Sequence, residues 1–255
     1  MKLLAVGVLA LACGAAGVFA VGGGSGSRGS MGENSGGEST PEPGKATLLP
    51  SLKQYLDTRA TELDEISGER EEELDALAVA IKGLIDQKKP VRLNFICTHN
   101  SRRSHFGQIW SSAAAAYCGL EVHAYSGGTE ATAFNPRAVA AASRAGFQIE
   151  DTTGGENPIY HVRFASNRPA VTCFSKRYDH PPNPKSDFVA IMVCTEADGA
   201  CPLVEGSAAR IAIPYVDPKV SDRTPAEAET YDERSAQIAR EMLWVMRRVA
   251  SHQSR

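Results

Sequence analysis

The chain has 255 residues, 42% of them hydrophobic and 22% charged, and a formal net charge of -3. That much apolar material excludes a wholly disordered chain, and the small net charge excludes nucleic-acid binding through a strong overall positive field. Six cysteines in so long a chain are too few for a disulfide-stapled miniprotein, so their positions matter more than their number.

Met1-Lys2 opens an uncharged apolar run over residues 3–20. A basic start, an apolar stretch and small residues at a cleavage point mark an export signal. Val18-Phe19-Ala20 supplies the small-x-small end, while Ala10-Leu11-Ala12-Cys13 is similar to a bacterial lipobox, which would put a lipid on Cys13. A permanent anchor needs about 20 apolar residues, and Gly7, Gly14 and Gly17 weaken the run for that purpose. The expectation is a signal peptide or lipoprotein signal over 1–20. The chain is then exported, periplasmic or extracellular, or held at the membrane by its N-terminus, in a compartment where thiols oxidise. Residues 21–50 are rich in Gly, Ser and Pro and read as a flexible linker.

Residues 51–89 read as a helical extension. Leu52, Leu56, Leu63 and Ile66 recur at helical spacing, as do Leu74, Leu77, Ile81, Leu84 and Ile85 after a break at Ser67-Gly68. The charges Glu69-Arg70-Glu71-Glu72-Glu73 are expected on a solvated face. The pair is expected to pack on the main domain, with an oligomer contact as the alternative.

From residue 90 the pattern alternates between strand and helix. Strands are expected at 91–96, 121–125, 188–193 and 210–213, and helices at 103–117 and 136–145. A final helix is expected from Thr224, with Thr224 as N-cap and Pro225 in the first helical position. Strands separated by helices imply a parallel sheet with right-handed crossovers, an α/β fold over 90–250. Residues 152–185, rich in Gly, Pro and Asn, read as a long inserted loop with a hairpin around 159–174.

The informative segment is Cys97-Thr98-His99-Asn100-Ser101-Arg102-Arg103-Ser104, where an apolar strand stops and a helix begins. Ligands bind at that edge of a parallel sheet. A loop entering a helix there points backbone N–H groups at one spot, which suits a tetrahedral oxyanion. The same field favours a thiolate, making Cys97 the candidate nucleophile. Arg103 can return to the mouth of the loop and grip oxyanion oxygens in bidentate fashion, and Ser104 can donate to the sulfur. The oxyanion-binding set is then Thr98, His99, Asn100, Ser101, Arg102, Arg103 and Ser104.

This loop resembles the P-loop of the low-molecular-weight protein tyrosine phosphatases and of the thioredoxin-coupled arsenate reductases that share their fold. Tyr125-Ser126-Gly127-Gly128-Thr129, Asn135-Pro136 and Asp217-Pro218 extend the resemblance over about residues 91–250. It implies a three-layer arrangement with a four-stranded parallel sheet, phosphotyrosine protein phosphatase I-like, behind the helical extension. It also implies that Asp217 is the general acid. Two residues depart from the family pattern: His99 stands where Gly is usual, and Arg102 where a second Cys is usual. Arg102 is expected to favour oxyanions further, and His99 to alter loop shape or access rather than act as a base.

The resemblance also separates two chemistries. The arsenate reductases carry two cysteines, six residues apart, after this strand, and Cys194 and Cys201 reproduce that spacing. The implied course is attack of Cys97 on arsenate, attack of Cys194 on Cys97 with release of arsenite, and a Cys194–Cys201 disulfide presented to an external dithiol, a thioredoxin-like protein. A structural disulfide or two unrelated core thiols are the competing readings. Hydrolysis of a phosphomonoester through a Cys97 phosphocysteine is the alternative activity, and an oxyanion-binding or redox-sensing module is the alternative outside catalysis. Lys219-Val220 after Asp217-Pro218, where the tyrosine phosphatases carry aromatic residues, favours a small oxyanion over a phosphotyrosine peptide. Cys118 and Cys173 match no functional position. The six histidines lack ligand spacing, so neither a metal nor a bound cofactor is expected.

Overall fold

A computed structural model describes residues 44–200 and 203–253. The expected leader with Cys13, the linker as far as residue 43, and Cys201 lie outside the described residues. Residues 44–49, expected to end the linker, are instead part of the folded unit. Leu48 bridges Ala165, Leu49 N–H donates to Phe164 O at 3.0 Å, and Thr47 N–H donates to Asn167 Oδ1 at 2.7 Å. Leu49 is buried, which is what draws this stretch onto the domain.

Four parallel strands form the central sheet: β1 (Arg92–Cys97), β2 (His123–Gly128), β6 (Phe188–Met192) and β7 (Ser207–Ala212), in the order β2-β1-β6-β7. The central β1 and β6 are buried almost throughout, which is why both read as unbroken apolar runs rather than alternating ones. The crossover through α3 (Arg103–Cys118) carries the chain from β1 outward to β2, and that through α5 (Thr195–Ala200) carries it from β6 outward to β7. The direction of winding therefore reverses between β1 and β6, and the crevice beyond their carboxyl ends is where a doubly wound sheet binds its ligand. Cys97 ends β1, and Cys194 follows β6 by two residues.

The long α6 (Glu227–Gln253) packs on α3, on α4 (Pro136–Arg144) and on both helices of the extension, α1 (Pro50–Arg59) and α2 (Gly68–Asp86). It begins later than the expected Thr224. Arg223 adopts φ 65° and its N–H donates to Glu227 Oε2 at 2.6 Å, so a turn closed by Glu227 precedes the helix. The extension joins the main core through Leu52, Leu56, Leu74, Leu77, Ile81 and Leu84. Its charged run is not a purely solvated face. Arg70 Nη2 meets Glu241 at 2.8 Å with that carboxylate side chain only 3% exposed, and Trp244 Nε1 donates to Glu71 at 3.1 Å.

The insertion contains the expected hairpin, β4 (Tyr160–Arg163) against β5 (Val171–Cys173), and an unexpected third strand that directly precedes the insertion, β3 (Gln148–Asp151), lies on the far side of β4. Beyond β5 the chain runs along β2. Gly128 N–H donates to Lys176 O and Tyr178 N–H to Gly128 O, both at 2.9 Å, and Asn183 Nδ2 donates to Ser126 O at 2.9 Å. The insertion thus covers the open edge of β2 beside the site. No helix among the described residues is long and apolar enough to cross a membrane.

Trp110 of α3 joins these parts. It is fully buried, stacks on Tyr55 of α1 with ring centroids 5.3 Å apart, meets Phe147 edge-on at 4.7 Å, and donates Nε1–H to Ser235 of α6 at 3.0 Å. Trp110→Ala is expected to lower unfolding stability by about 3–5 kcal/mol, seen as a lower urea midpoint at unchanged slope.

Candidate active site

The loop after β1 ends on a helix whose first turn is left open. Arg102 holds the N-cap position of α3 without a capping bond from its side chain, whereas Ser67 caps α2 and Asn135 caps α4. The first N–H groups of a helix need acceptors, and its N-terminus carries partial positive charge, so this opening favours an anion. Asn100 turns the loop at φ 44°, a left-handed conformation that Asn adopts more readily than most residues.

Cys97 is 4% exposed, with Sγ 3.1 Å from Ser104 Oγ. Asn100 Nδ2 donates to that same hydroxyl at 2.9 Å, which leaves the serine's own hydrogen to point at the sulfur. Asn100 Oδ1 accepts from Lys176 N–H at 2.9 Å, and Ser175 Oγ donates to His99 O at 2.9 Å. From the other side Glu130 N–H donates to Thr98 O at 2.8 Å, and Thr132 Oγ1 donates to His99 O at 3.1 Å. Backbone carbonyls of the loop are thus held from outside. The His99 imidazole lies 3.5 Å from the Glu130 carboxylate at the rim.

Beneath the loop lies a buried polar cluster. Burial holds the Lys176 ammonium down at about 8, partly offset by the neighbouring Cys173. Burial, with the charge of Lys176, holds His105 well below its usual value, so the imidazole is neutral. Ser126 Oγ donates to Gln108 Oε1 at 2.7 Å and lies 3.2 Å from His105 Nδ1, an arrangement that assigns the ring proton to Nδ1.

Arg103 is buried and already engaged. Its Nη1 donates to Tyr215 O and its Nη2 to Asp217 Oδ2, both at 2.9 Å. Asp217 Oδ1 accepts from Lys219 N–H at 3.1 Å, so both carboxylate oxygens serve as acceptors. Arg102, expected among the oxyanion ligands, is engaged like Arg103, with its Nε 3.9 Å from Asp217 Oδ1. Its Nε donates to Tyr231 OH at 2.8 Å and its Nη2 lies 3.5 Å from Asp222 Oδ2. Tyr231 lies 129 positions along the chain, on a helix that the loop sequence gives no means of locating.

Cys194 is fully buried at the start of α5, where its Sγ accepts from Ala197 N–H at 3.4 Å. Thr98 Oγ1 lies 3.6 Å from that sulfur, so the residue after Cys97 reaches the second cysteine. Among the described residues Cys97, Cys118, Cys173 and Cys194 are free thiols. Burial raises the Cys118 thiol to about 11 and that of Cys173 to about 12, so both are passive. The structure therefore gathers Cys97, Thr98, Asn100, Arg103, Ser104, Cys194 and Asp217 at one sheet edge. Ser175, Lys176, Asp222 and Tyr231 join them with no local sequence signal.

No family model matches the chain. Among curated proteins, an arsenate reductase of Shouchella clausii is 29% identical over 133 residues, covering 52% of this chain and 78% of the relative. An arsenate reductase of Brevibacillus brevis is 28% identical over 144 residues, covering 56% and 88%. Among solved structures, a low-molecular-weight phosphotyrosine phosphatase of Vibrio cholerae aligns with a TM-score of 0.41 at 14% identity, over 64% of this chain and 97% of its own. An arsenate reductase in the phosphate-binding state aligns with a TM-score of 0.39 at 14% identity, over 62% and 98%. Arsenate reductase 2 of Staphylococcus epidermidis is 30% identical over 126 residues, 49% of this chain and 76% of the relative, and on that match the chain belongs to the arsenate reductase family.

Proposed function

We propose that the chain reduces arsenate to arsenite, with Cys97 as nucleophile and Cys194 as the first resolving thiol. The observation that supports this reading is the placement of Cys97 and Cys194 beyond the carboxyl ends of the neighbouring strands β1 and β6, with Thr98, next to Cys97 in the chain, 3.6 Å from the Cys194 sulfur. Hydrolysis needs one thiolate; reduction needs two electrons, hence a second thiol within reach.

In the first step the Cys97 thiolate attacks arsenic, forming an S–As bond while an oxygen of arsenate leaves with a proton as water. Asp217 is the proton donor and Arg103 the guanidinium that turns from Asp217 to the oxyanion. In the second step the Cys194 thiolate attacks Cys97 Sγ. The S–As bond breaks, its electron pair stays with arsenic, arsenite leaves, and a Cys97–Cys194 disulfide remains. Cys201 then attacks Cys194, freeing Cys97 as a thiolate, and a thioredoxin-like dithiol reduces the resulting Cys194–Cys201 bond. Cys194 is fully buried, so this exchange requires the six-residue α5 to open, a small loss for so short a helix. With residues 1–20 read as an export leader, the reducing dithiol works outside the cytosol.

Phosphomonoester hydrolysis is the second reading, favoured by the Asp217 carboxylate 2.9 Å from Arg103. Cys194→Ser separates the two when purified protein is assayed on arsenate plus dithiol and on an aryl phosphate. Arsenate turnover is expected to fall by at least about 10²-fold, with aryl phosphate hydrolysis kept within about twofold. Unchanged arsenate turnover in the variant would overturn the thiol relay.

A further inference from the structure

Two consecutive arginines of the loop meet the two acids that bracket a single turn. Arg103 holds Asp217 at 2.9 Å, on the near side of the 3-10 turn Pro218–Ser221. Arg102 holds Asp222, on the far side, by two routes: directly, Nη2 to Oδ2 at 3.5 Å, and through Tyr231. Arg102 Nε–H donates to the Tyr231 hydroxyl, which donates its own hydrogen to Asp222 Oδ1, each at 2.8 Å. The three groups close a ring in which the Arg102 Nε and Tyr231 hydroxyl protons each have an acceptor. Tyr231 is fully buried, and its phenol is pushed up to about 12 by burial and by Asp222, so the hydroxyl keeps the hydrogen it donates. Arg137, from the first turn of α4, adds a contact of 3.8 Å to Asp222 and one of 2.7 Å to Glu227 at the start of α6.

Apolar packing contributes less to holding this segment. Pro218 and Ser221 are buried, but Val216 is 62% and Val220 71% exposed. Its position over the mouth is set chiefly by the polar ties at its two ends. Those ties differ in what substrate does to them. A doubly charged oxyanion entering the loop competes for Arg103 and so releases Asp217 from its partner. Arg102 keeps its hydrogen bond to Tyr231 and its contact with Asp222, and its Nε also lies 3.9 Å from Asp217 Oδ1, so it touches both ends of the turn when Arg103 is drawn away.

We propose that Arg102 and Tyr231 are positioning residues, clasping the far end of the Pro218–Ser221 turn so that Asp217 stays at the mouth when the oxyanion takes Arg103 from it. The proposal rests on the reading of the Cys97 loop as the oxyanion site with Asp217 as proton donor. It changes the role of Arg102 from substrate ligand to tether of the acid.

Tyr231→Phe removes one hydroxyl and tests the clasp. On arsenate and on an aryl phosphate kcat is expected to fall about 5–10-fold with KM within about twofold, because the acid and not the binding loop is displaced. In an Asp217→Asn background the same change is expected to alter kcat by less than about twofold, since the group being positioned is no longer an acid. Without substrate, hydrogen exchange at the Lys219, Val220 and Asp222 amides is expected to rise at least about tenfold in Tyr231→Phe, while the α6 amides from Met242 to Val249 keep their protection. Asp222→Asn, at the partly exposed end of the ring, is expected to give the same pattern should the phenylalanine variant fold poorly. Equal losses in both backgrounds, or a raised KM at constant kcat, would overturn the positioning role. Unchanged exchange would overturn the clasp itself. A wild-type chain that turns over neither substrate would instead defeat the reading of the site, and the exchange measurement would still decide whether the clasp exists.

Discussion

Replacing Cys97 with serine is expected to abolish turnover, by at least about 10³-fold on both arsenate and aryl phosphate, without loss of the folded state. The substitution changes one atom and keeps the contact with Ser104, 3.1 Å away in the present structure. What it removes is the thiol, intrinsically the stronger nucleophile of the two groups. A serine in this place would need a general base, and neither nearby imidazole serves. His99 lies 3.5 Å from Glu130 at the rim. His105 is fully buried, with Nδ1 against Ser126 at 3.2 Å. The helix opening and Arg103 remain, so inorganic phosphate is expected to bind the variant about as well as the wild type. Calorimetry with phosphate beside the two turnover assays makes the check. A serine variant within tenfold of wild type would remove Cys97 from the chemistry.

Gly128→Ala is expected to have the next largest effect on turnover, about 10²-fold, from a residue that need not touch substrate. Gly128 pairs with Cys97 across the β1–β2 ladder. A Cβ added there would lie 2.3 Å from Glu130 O, 2.6 Å from Thr98 O and 2.7 Å from Asn100 N. All three are backbone atoms, so no side chain can step aside, and two belong to the oxyanion loop itself. Relief must come from moving the loop or parting the strands. Over-packing of this kind also lowers stability, by about 1–3 kcal/mol. The two consequences separate experimentally: where the variant is still fully folded, by near-UV circular dichroism, its kcat/KM is expected to remain depressed. A folded variant with wild-type kcat/KM would show that the loop tolerates displacement.

Local rules reached some parts of this molecule and not others. The strand expected at 91–96 is found as Arg92–Cys97, and the helix expected at 103–117 as Arg103–Cys118, because burial on both faces and helical spacing leave marks in short windows. The loop between them was legible for the same reason: its residue types sit where a strand gives way to a helix. β3 was not legible, since its four residues are mostly exposed and its partner β4 begins nine residues after it ends. At six residues α5 is too short to show a period. Thr224-Pro225 has the chemistry of a helix start, but Glu227 closes a turn onto Arg223 and delays α6. Arg70 looked solvated because its partner Glu241 stands 171 positions away. The partners of Arg102, Tyr231 and Asp222, are hidden from sequence in the same way, 129 and 120 positions away. Sequence shows that a charge is present, and only the folded chain shows which opposite charge claims it.

The bracing of the oxyanion loop has a bearing on how the chain acquires its reactivity. Ser175 reaches His99 across 76 positions, as does Lys176 to Asn100, and Asp217 reaches Arg103 across 114. Contacts of such span close large loops, and the entropy of closing them is repaid only when much of the intervening chain has ordered. A chain folded no further than β2 has the Cys97 loop in sequence but neither the hydrogen bonds to its carbonyls nor the acid at its mouth. The Cys97 loop therefore takes its final shape at the end of folding rather than with the strand that carries it.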